Sequence, residues 1–279
     1  MTDIFYKANL KCPICDGVLM LEDQKTLYCN GQKRHAYDLS SSGYVNLSSP
    51  KQCGGGDTKE AVRARSAFLD AGYYKPISDK ILELLTLYGN GGERVVDAGC
   101  GEGYYSTAIA RCGFCVIGFD LSKFATDAAA KRARREGLDN TFFVTASVFT
   151  MPIEDKCADA LVNVFAPCVE SEYKRVLKDK GSLIVVYAGP EHLYGLKDAI
   201  YEQVNTNEER ADLPQGMSLA QKDRLTYDVT LKGNENILNL FAMTPYYWKT
   251  SQSDVKKLEG LEELTTRIDI FFALYKNET

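Results

Sequence analysis

Apolar and polar residues follow regular patterns along this chain and predict helices first and buried strands afterwards. From Lys59 onward apolar residues recur with a helical period, and a second helical pattern runs to about position 85. After the glycines at 91 and 92, strand and helix patterns alternate up to position 188. Apolar runs such as CVIGF and LIVVYA contain no alternating polar positions, which is typical of parallel strands covered on both faces. The pattern therefore predicts an open α/β sheet.

The boundaries of the elements follow from the same patterns. Strands are predicted over 94–98, 115–120, 141–145, 158–164 and 182–188, with helices over 104–111, 122–136 and 170–177. Near the C-terminus, residues 225–231 alternate between apolar and polar, and 267–275 form another β-rich run. Two terminal strands after a five-strand series predict a seven-stranded sheet with an antiparallel finish.

Composition excludes several classes of protein. With 279 residues, 45% hydrophobic and 25% charged, the chain can bury a core and does not match global disorder, collagen or coiled coil. No stretch approaches the roughly 20 apolar residues of a membrane span, and the N-terminus lacks a leader pattern. We therefore expect a cytoplasmic protein without a membrane partner. The net charge of −5 argues against coating of nucleic acid through bulk charge.

The first 47 residues are rich in cysteine and poor in helical patterns. Cys12 and Cys15 form a CxxC knuckle, and Cys29 and His35 follow at a separation that can return to the same point. Four such donors satisfy tetrahedral zinc and leave no open position for a substrate. Because the segment is too short for a core of its own, structural zinc is predicted, with incidental buried thiols as the alternative.

The chain divides into three predicted parts. Residues 1–47 form a zinc-binding domain, 48–85 form a linker and connecting helices, and 86–279 form the α/β domain. Serine, proline and glycine over 48–56 mark the first boundary. Residues 1–80 carry 11 basic and 9 acidic side chains, so this third of the chain repels a polyanion least.

The segment VVDAGCGEGYYS is the strongest chemical signal in the α/β part. Asp97 lies near the end of a strand, Gly99, Gly101 and Gly103 follow, and a helix begins at once. Such glycines permit positive φ and let the backbone approach a ligand at the carboxyl end of the strand. The dinucleotide fingerprint requires a small residue where this chain has Tyr104, so a pyrophosphate ligand is disfavoured. A plain tight turn is the alternative.

The pattern DxGxGxG resembles the S-adenosylmethionine motif of class I methyltransferases. This resemblance implies that Asp97 orients the loop and the methionine end of the cofactor. Glu102 is close in sequence to the loop and is expected to hold it. Asp120 ends the next strand about 20 residues on and fits the carboxylate that accepts the ribose hydroxyls. The implied fold is the class I S-adenosylmethionine-dependent methyltransferase fold, Rossmann-like and seven-stranded, with a small N-terminal zinc-binding domain.

Motifs along essentially the whole chain resemble the zinc-containing bacterial 23S rRNA (guanine-N1-)-methyltransferase family. They are CPIC, CNGQKRHAYDLSSSGYVNL, ARSAFLDAGYYKP, DAGCGEGYY, FAPC, AGPEHLYGLK and MTPYYW. The resemblance implies methyl transfer from S-adenosylmethionine to N1 of a guanine in a 23S rRNA hairpin loop, with the zinc domain reading the RNA. One departure is the five-residue spacing between Cys29 and His35, which is longer than expected for the family.

Further cofactor contacts follow from this resemblance. Those carried over by motif are Gly103 and Tyr104 in GEGYY, Tyr74 in AGYYKP and His192 in AGPEHL. Ser147 follows the third strand, where an adenine contact is usual, and Asn163 lies near the end of the fourth, where the methyl group is presented. Without the resemblance, His192 would be interpreted as a surface residue that opens a helix.

The sequence names no catalytic residue. Guanine N1 carries a hydrogen that must leave, so a base or a donor that stabilises the oxygen is expected. The aromatic residues 246–248 can stack on an extruded base or simply pack. Candidate phosphate contacts beside the zinc site are Lys33, Arg34, Arg63 and Arg65.

Two other interpretations stay open. One makes the chain a small-molecule S-adenosylmethionine methyltransferase with an accessory zinc module. The other makes it a nonenzymatic, zinc-dependent module that binds RNA or protein. Also open are a homodimer around a long RNA, the choice of guanine and any effect on antibiotic susceptibility.

Overall fold

A computed structural model describes residues 8–49, 56–88, 93–207 and 216–278. Most of the predicted breaker cluster, residues 50–55, and the glycines at 91 and 92 lie outside these ranges. The strands are β1 (Leu19–Glu22), β2 (Thr26–Cys29), β3 (Ala36–Asp38), β4 (Val45–Asn46), β5 (Arg94–Ala98), β6 (Cys115–Asp120), β7 (Thr141–Thr145), β8 (Ala158–Val164), β9 (Leu177–Ala188), β10 (Met217–Lys232) and β11 (Glu263–Asn277). The α-helices are α1 (Lys59–Asp70), α2 (Lys75–Tyr88), α3 (Tyr104–Arg111), α4 (Lys123–Arg135), α5 (Glu170–Val176), α6 (Tyr194–Ile200), α7 (Asn234–Ala242) and α8 (Gln252–Glu259), and a 3₁₀-helix spans Pro245–Trp248.

The predicted α/β sheet is confirmed and gains one strand beyond the expected seven. Its order is β10-β11-β9-β8-β5-β6-β7-β4. The strands from β9 to β4 run parallel, and β11 lies antiparallel to both β9 and β10. The extra strand, β4, has only two residues and is formed by pairing with β7, so no period of its own could have indicated it.

A small antiparallel sheet of β1, β2 and β3 carries the cysteine-rich segment. The chain before it is tied to the large body, because Lys11 donates its N–H to the carbonyl of Pro152 (2.9 Å) and Asn9 donates to Glu154 (2.7 Å). The chain after it enters the large sheet as β4. The small sheet is therefore attached at two points, while the predicted domain boundaries at 47 and 85 stay predictions.

The central strands are buried on both faces, as their apolar runs predicted. Neighbouring residues of a strand point to opposite faces. Accordingly Val95 belongs to one core cluster with Ile81 of α2 and Ile109 of α3, whereas Val96 belongs to the other, with Phe142 of β7. The side chains of Val95, Val96, Ile81 and Ile109 are all at most 1% exposed.

Three helices fall where no helix was predicted, namely α6, α7 and α8. They have seven to nine residues and pack against one another or against β11. Helices this short depend on tertiary packing rather than on their own propensity, so local patterns indicate them poorly. None of the helices among the described residues has the length and apolar character that a membrane crossing requires.

The connectivity creates a crevice at the carboxyl end of β5. The chain leaves β5 for β6 on one side and later returns to β8 on the other side. Such a reversal of strand order leaves space between the loops that follow the two neighbouring strands, and ligands bind there in open α/β sheets.

Candidate functional site

A cavity of about 810 Å³ lies at this reversal point. The loops after β5 and β6, the turn after β8 and the end of β9 form one side of it, and parts of α1 and of the segment 242–248 form the other. This volume lies in the range of sites for small molecules and cofactors. The predicted residues that line it are Tyr74, Gly99, Gly101, Glu102, Asp120, Ser147 and His192.

The glycine loop has the conformation that its sequence predicted. Gly99, Gly101 and Gly103 all have positive φ, at 86°, 54° and 79°. A Cβ atom at Gly99 would lie 2.4 Å from that of Ala166, and one at Gly103 would lie 2.8 Å from that of Ala129. Gly103 caps α3 from outside the cavity lining, whereas Gly99 and Gly101 face the cavity.

Asp97 lies behind the loop and is 1% exposed. Its Oδ2 accepts a hydrogen bond from Ser106 Oγ at 2.5 Å, which ties β5 to α3. Burial raises the pKa of Asp97 to about 7, and the negative charges of Asp120 and Glu102 act in the same direction. Asp97 therefore supports the loop from behind rather than lining the cavity.

Asp120 faces the cavity and joins two loops. Its Oδ2 accepts the N–H of Gly101 at 3.0 Å, and its Oδ1 accepts the N–H of Ser122 at 2.8 Å. Burial raises its pKa, and these two N–H donors oppose the rise. The remaining lone pairs of the carboxylate can accept hydroxyl groups of a ligand.

Arg65 lines the cavity. From the sequence it was predicted among the phosphate contacts beside the zinc site. It forms an ion pair with Asp57, and its positive charge partly offsets the rise that burial causes in the pKa of Glu102. Arg65 shares the inward face of α1 with Phe68, and its role as a phosphate contact stays a prediction. Arg63, two positions earlier, is exposed as expected.

An aromatic wall closes one side of the cavity. The Tyr74 hydroxyl lies 3.3 Å from His192 Nε2, and the Phe165 ring stacks on the imidazole at 5.9 Å and 15°. Burial lowers the pKa of His192 to about 4, and the charge of Lys197 adds to this, so the ring is neutral at pH 7. Phe165 was not predicted as a site residue, although it lies in the FAPC motif; its φ of 55° is unusual for a side chain of this size.

Besides Asp97, three predicted cofactor contacts lie outside the cavity lining, namely Gly103, Tyr104 and Asn163. Asn163 is buried and donates its amide to the carbonyl of Pro167 (3.0 Å) and to Tyr173 Oη (2.6 Å), which holds the turn after β8. Tyr104 packs instead on its neighbour Tyr105, with ring centroids 5.1 Å apart.

Tyr105 is a cavity residue that sequence reasoning missed. Its hydroxyl is buried and has no hydrogen-bond partner within the described part of the chain. Burial keeps the pKa of this hydroxyl well above its ordinary value, so it stays a donor. The sequence pattern does not indicate which of two adjacent tyrosines faces the cavity. Only their packing in the folded protein determines it.

The four predicted metal ligands come together in the small sheet. The donor atoms of Cys12, Cys15, Cys29 and His35 all lie within 4.8 Å of one another. The sulfurs of Cys15 and Cys29 lie 3.7 Å apart, and the three sulfurs lie 3.4 to 3.5 Å from His35 Nδ1. Tetrahedral zinc requires about 3.8 Å between two sulfurs and about 3.5 Å between sulfur and nitrogen. The donor set therefore fits zinc in both chemistry and spacing.

The long spacing before His35 is accommodated by the turn between β2 and β3. Cys29 N–H donates to the carbonyl of His35 at 3.0 Å, which returns the imidazole to the cluster. Within this turn a Cβ at Gly31 would lie 2.8 Å from Cys15 Sγ, so only glycine fits beside the thiolate. Although burial opposes it, hydrogen bonds from the backbone of His35 and Gly31 lower the pKa of Cys29 to about 6, which favours the metal-binding thiolate.

The cavity fits a positively charged nucleoside better than a phosphate. Asp57, Glu102 and Asp120 line it, and Arg65 is the one arginine or lysine among the described lining residues. Asp57 neutralises the positive charge of Arg65 through their ion pair, so this arginine is less available to bind a phosphate. The unpartnered Tyr105 hydroxyl offers a further donor.

Comparisons with known proteins match both parts of the chain. A family model described as a methyltransferase domain matches residues 90–242, and one described as the N-terminal part of RlmA matches residues 10–51. The 23S rRNA (guanine(748)-N(1))-methyltransferase of Streptomyces fradiae is 30% identical over 273 residues, covering 93% of this chain and 94% of that protein. YxjB of Bacillus subtilis, provisionally named as a 23S rRNA (guanine-N(1)-)-methyltransferase, is 30% identical over 285 residues, covering 96% and 97%. A solved S-adenosylmethionine-dependent methyltransferase from Aquifex aeolicus gives a TM-score of 0.48 at 13% identity, covering 80% of this chain and 100% of that one.

Proposed function

This chain belongs to the 23S rRNA (guanine-N1-)-methyltransferase family, and on that premise we propose that it methylates N1 of a guanine in a 23S rRNA hairpin loop. Its fold is the class I methyltransferase fold with a small zinc-binding domain, and its cofactors are S-adenosylmethionine and zinc. One observation carries the proposal: the acidic cavity at the carboxyl ends of β5 and β6 occurs in the same chain as a zinc cluster. The reaction takes place in the cytoplasm, where ribosomal RNA is found.

The residues that hold the cofactor are those around the acidic cavity. Asp120 accepts the ribose hydroxyls, and the backbone at Gly99 and Gly101 lies against the cofactor because no Cβ intervenes. Ser147 lies at the adenine end, and Tyr74 with His192 forms the aromatic wall. We assign supporting roles to Asp97, Glu102, Gly103, Tyr104 and Asn163, and we include Arg65 and Tyr105 because they line the cavity.

The protein contributes mainly alignment to the reaction. When bound, S-adenosylmethionine supplies an electrophilic methyl group on a positively charged sulfur. Rigid placement of a reacting pair at about 3 to 3.5 Å accounts for much of the rate that such enzymes achieve. Phe165 and Trp248 line the cavity and are 43% and 67% exposed, so their ring faces can stack on an extruded guanine. A base in a hairpin loop costs less to extrude than a paired base.

The zinc domain binds the RNA and takes no part in the chemistry. Cys12, Cys15, Cys29 and His35 hold the metal with four protein donors, which leaves no open position for a substrate. Exposed Arg34 is ion-paired with Glu22 and lies over the Tyr28 ring at 4.1 Å, so a cation and an aromatic ring lie side by side. Both groups are suited to single-stranded RNA.

The deciding experiment is methyl transfer from labelled S-adenosylmethionine to unmodified 23S rRNA and to its hairpin fragments, followed by mapping of the modified base. We expect N1-methylguanine at one loop position and no product when that guanine is replaced by adenine. Asp120→Ala serves as the protein control and should raise the dissociation constant of S-adenosylmethionine at least about tenfold. Transfer to small molecules alone would contradict the proposal, as would tight RNA binding without transfer. Light scattering of the complex tests the homodimer that we include in this proposal.

A further inference from the structure

An ion pair behind the aromatic wall connects the antiparallel end of the sheet to the cavity. Asp269 of β11 is fully buried, and its carboxylate accepts hydrogen bonds from Arg224 Nε (2.7 Å) and Nη2 (3.0 Å) on β10. The side chain of Arg224 is 45% exposed. Although burial opposes it, this arginine lowers the pKa of Asp269, so the carboxylate is ionised at pH 7. The pair is therefore a two-bond charge contact between two neighbouring strands.

Asp269 also holds the loop 189–192, which follows β9. Its Oδ2 accepts the N–H of Glu191 at 2.9 Å, and its backbone carbonyl accepts the N–H of Gly189 at 2.7 Å. A Cβ at Gly189 would lie 2.4 to 2.6 Å from the carboxylate atoms, so the loop lies directly on this group. Asn207 adds a hydrogen bond of 2.8 Å to the carbonyl of Gly189.

The same residue determines which nitrogen of His192 carries the hydrogen. The backbone N–H of Asp269 points to His192 Nδ1 at 3.4 Å, so Nδ1 acts as an acceptor. A neutral imidazole that accepts at Nδ1 carries its hydrogen on Nε2. Nε2 is the nitrogen beside Tyr74, and the stacked Phe165 ring fixes the plane of the imidazole. The Nε2–H therefore donates to the Tyr74 hydroxyl at the wall of the cavity.

We propose that Arg224 and Asp269 are positioning residues for methyl transfer, because they hold the loop 189–192 so that His192 directs its Nε2–H donor to the Tyr74 hydroxyl in the cavity wall. Only the activity assay for this proposal depends on the proposed function, because the state of His192 can be measured without RNA methylation. Without Arg224 the Asp269 carboxylate is a buried charge with its main partner removed, and the loop on it shifts or the group takes up a proton. The charged and titratable groups around His192 are Tyr74, Lys197, Asp269 and, through Asp269, Arg224.

The test compares Arg224→Gln and Arg224→Lys with a matched control. Arg111 makes the same two-bond contact with Glu136, at 2.9 and 3.2 Å, away from the cavity lining. We expect Arg224→Gln to lower kcat for RNA methylation about tenfold with little change in the KM for RNA, as for an interaction made in the transition state. Arg224→Lys should recover part of the loss, and Arg111→Gln should behave as the unmodified protein does.

A spectroscopic measurement separates positioning from general support. The chain has two histidines, His35 and His192, so imidazole ¹⁵N–¹H spectra are simple to assign. We expect His192 as the Nε2–H tautomer from pH 5.5 to 8, and a mixture of tautomers in Arg224→Gln. The proposal is overturned if Arg224→Gln keeps the single tautomer, whatever its activity, or if it keeps full turnover while its tautomers mix. If Arg224→Gln does not fold, Arg224→Lys decides by the same two measurements. If no variant, including the unmodified protein, methylates RNA while the tautomers behave as expected, the proposed function fails and the positioning of His192 stands.

Discussion

At the scale of single residues, Tyr104 and Tyr105 separate what the sequence predicts from what packing decides. The family motif points to Tyr104, whereas the structure brings Tyr105 to the cavity with a buried hydroxyl that lacks a partner in the described part of the chain. A buried unpaired hydroxyl costs about 1 to 3 kcal/mol. We expect such a cost to persist only if a ligand uses the group.

Tyr105→Phe should therefore have two effects of opposite sign. Without the cofactor its stability should equal or exceed that of the unmodified protein, because the unpaired hydroxyl is gone. Its affinity for S-adenosylmethionine should fall about fivefold to thirtyfold, which corresponds to one hydrogen bond. Denaturant unfolding and isothermal titration measure the two quantities. Tyr104→Phe, with the same loss of one oxygen, should leave affinity unchanged; the reverse result for the pair would favour the motif-based assignment.

The raised pKa of Asp97 predicts how the stability of the protein depends on pH. This pKa is about 7 in the folded protein and about 3.8 for an ordinary aspartate, so the folded state holds an extra proton between these two pH values. Stability should therefore fall as pH rises from about 4 to about 7, because ionisation costs more in the folded state. Asp97→Asn cannot ionise, so it should match the unmodified protein near pH 4 and exceed it by about 2 to 4 kcal/mol at pH 8.

Unfolding curves at pH 4.5, 6 and 8 measure this difference for the two proteins. Cofactor affinity should show the complementary trend, since an ionised Asp97 favours a cationic ligand. In the unmodified protein the affinity for S-adenosylmethionine should rise through pH 7, and in Asp97→Asn that rise should be absent. A stability difference that is the same at all three pH values would show that Asp97 is ionised throughout.

At the scale of elements, the sequence predicts best where the period is long and the environment uniform. The five parallel strands and the helices α3 and α4 fall within a few residues of their predicted bounds, except that β9 begins earlier. By contrast β4, α6 and α7 are defined by the neighbours against which they pack. Arg65 shows the same limit within one helix: the period places it on the inward face, but its charge had suggested an outward role.

The zinc-bearing sheet allows a prediction at this scale. None of the described residues that line the cavity lies between positions 8 and 49, so the cofactor site does not use this sheet. Cys15→Ser removes an exposed ligand and should lower zinc affinity strongly, since the small sheet has little core of its own. We expect loss of RNA methylation, faster proteolysis within residues 8–49 and an affinity for S-adenosylmethionine within about twofold of the original.

The control for this variant is Cys112→Ser, which changes an exposed cysteine outside the cluster and should alter none of the three properties. A methyl-transfer assay, limited proteolysis and isothermal titration report them separately, and metal analysis measures the zinc content of each variant. A large loss of cofactor affinity in Cys15→Ser would mean that the attachment through Lys11 and β4 transmits the disruption to the cavity, and that the two parts do not act independently.

At the scale of the whole molecule, a chain with a net charge of −5 has to bind a polyanion through local features. Lys33 and Arg34 are exposed beside the zinc cluster, whereas Lys131 and Arg135 are exposed on α4. The two pairs contribute the same positive charge, so composition alone does not distinguish them. Both sites contain an ion pair, Arg34 with Glu22 and Lys131 with Asp127, but Arg34 also lies over the Tyr28 ring.

Reversing both charges as Lys33→Glu with Arg34→Glu should weaken RNA binding and reduce its dependence on salt. Each lost phosphate contact lowers the slope of log K against log salt by about 0.7 to 0.9, so the slope should fall by about 1.5. The matched double variant Lys131→Glu with Arg135→Glu changes the net charge equally and should leave the slope as it was. Binding of a hairpin fragment, titrated from low to moderate salt, measures both. Cofactor affinity should stay constant in both variants. Equal losses of RNA affinity in the two would mean that RNA binding depends on the total charge of the protein rather than on the zinc domain.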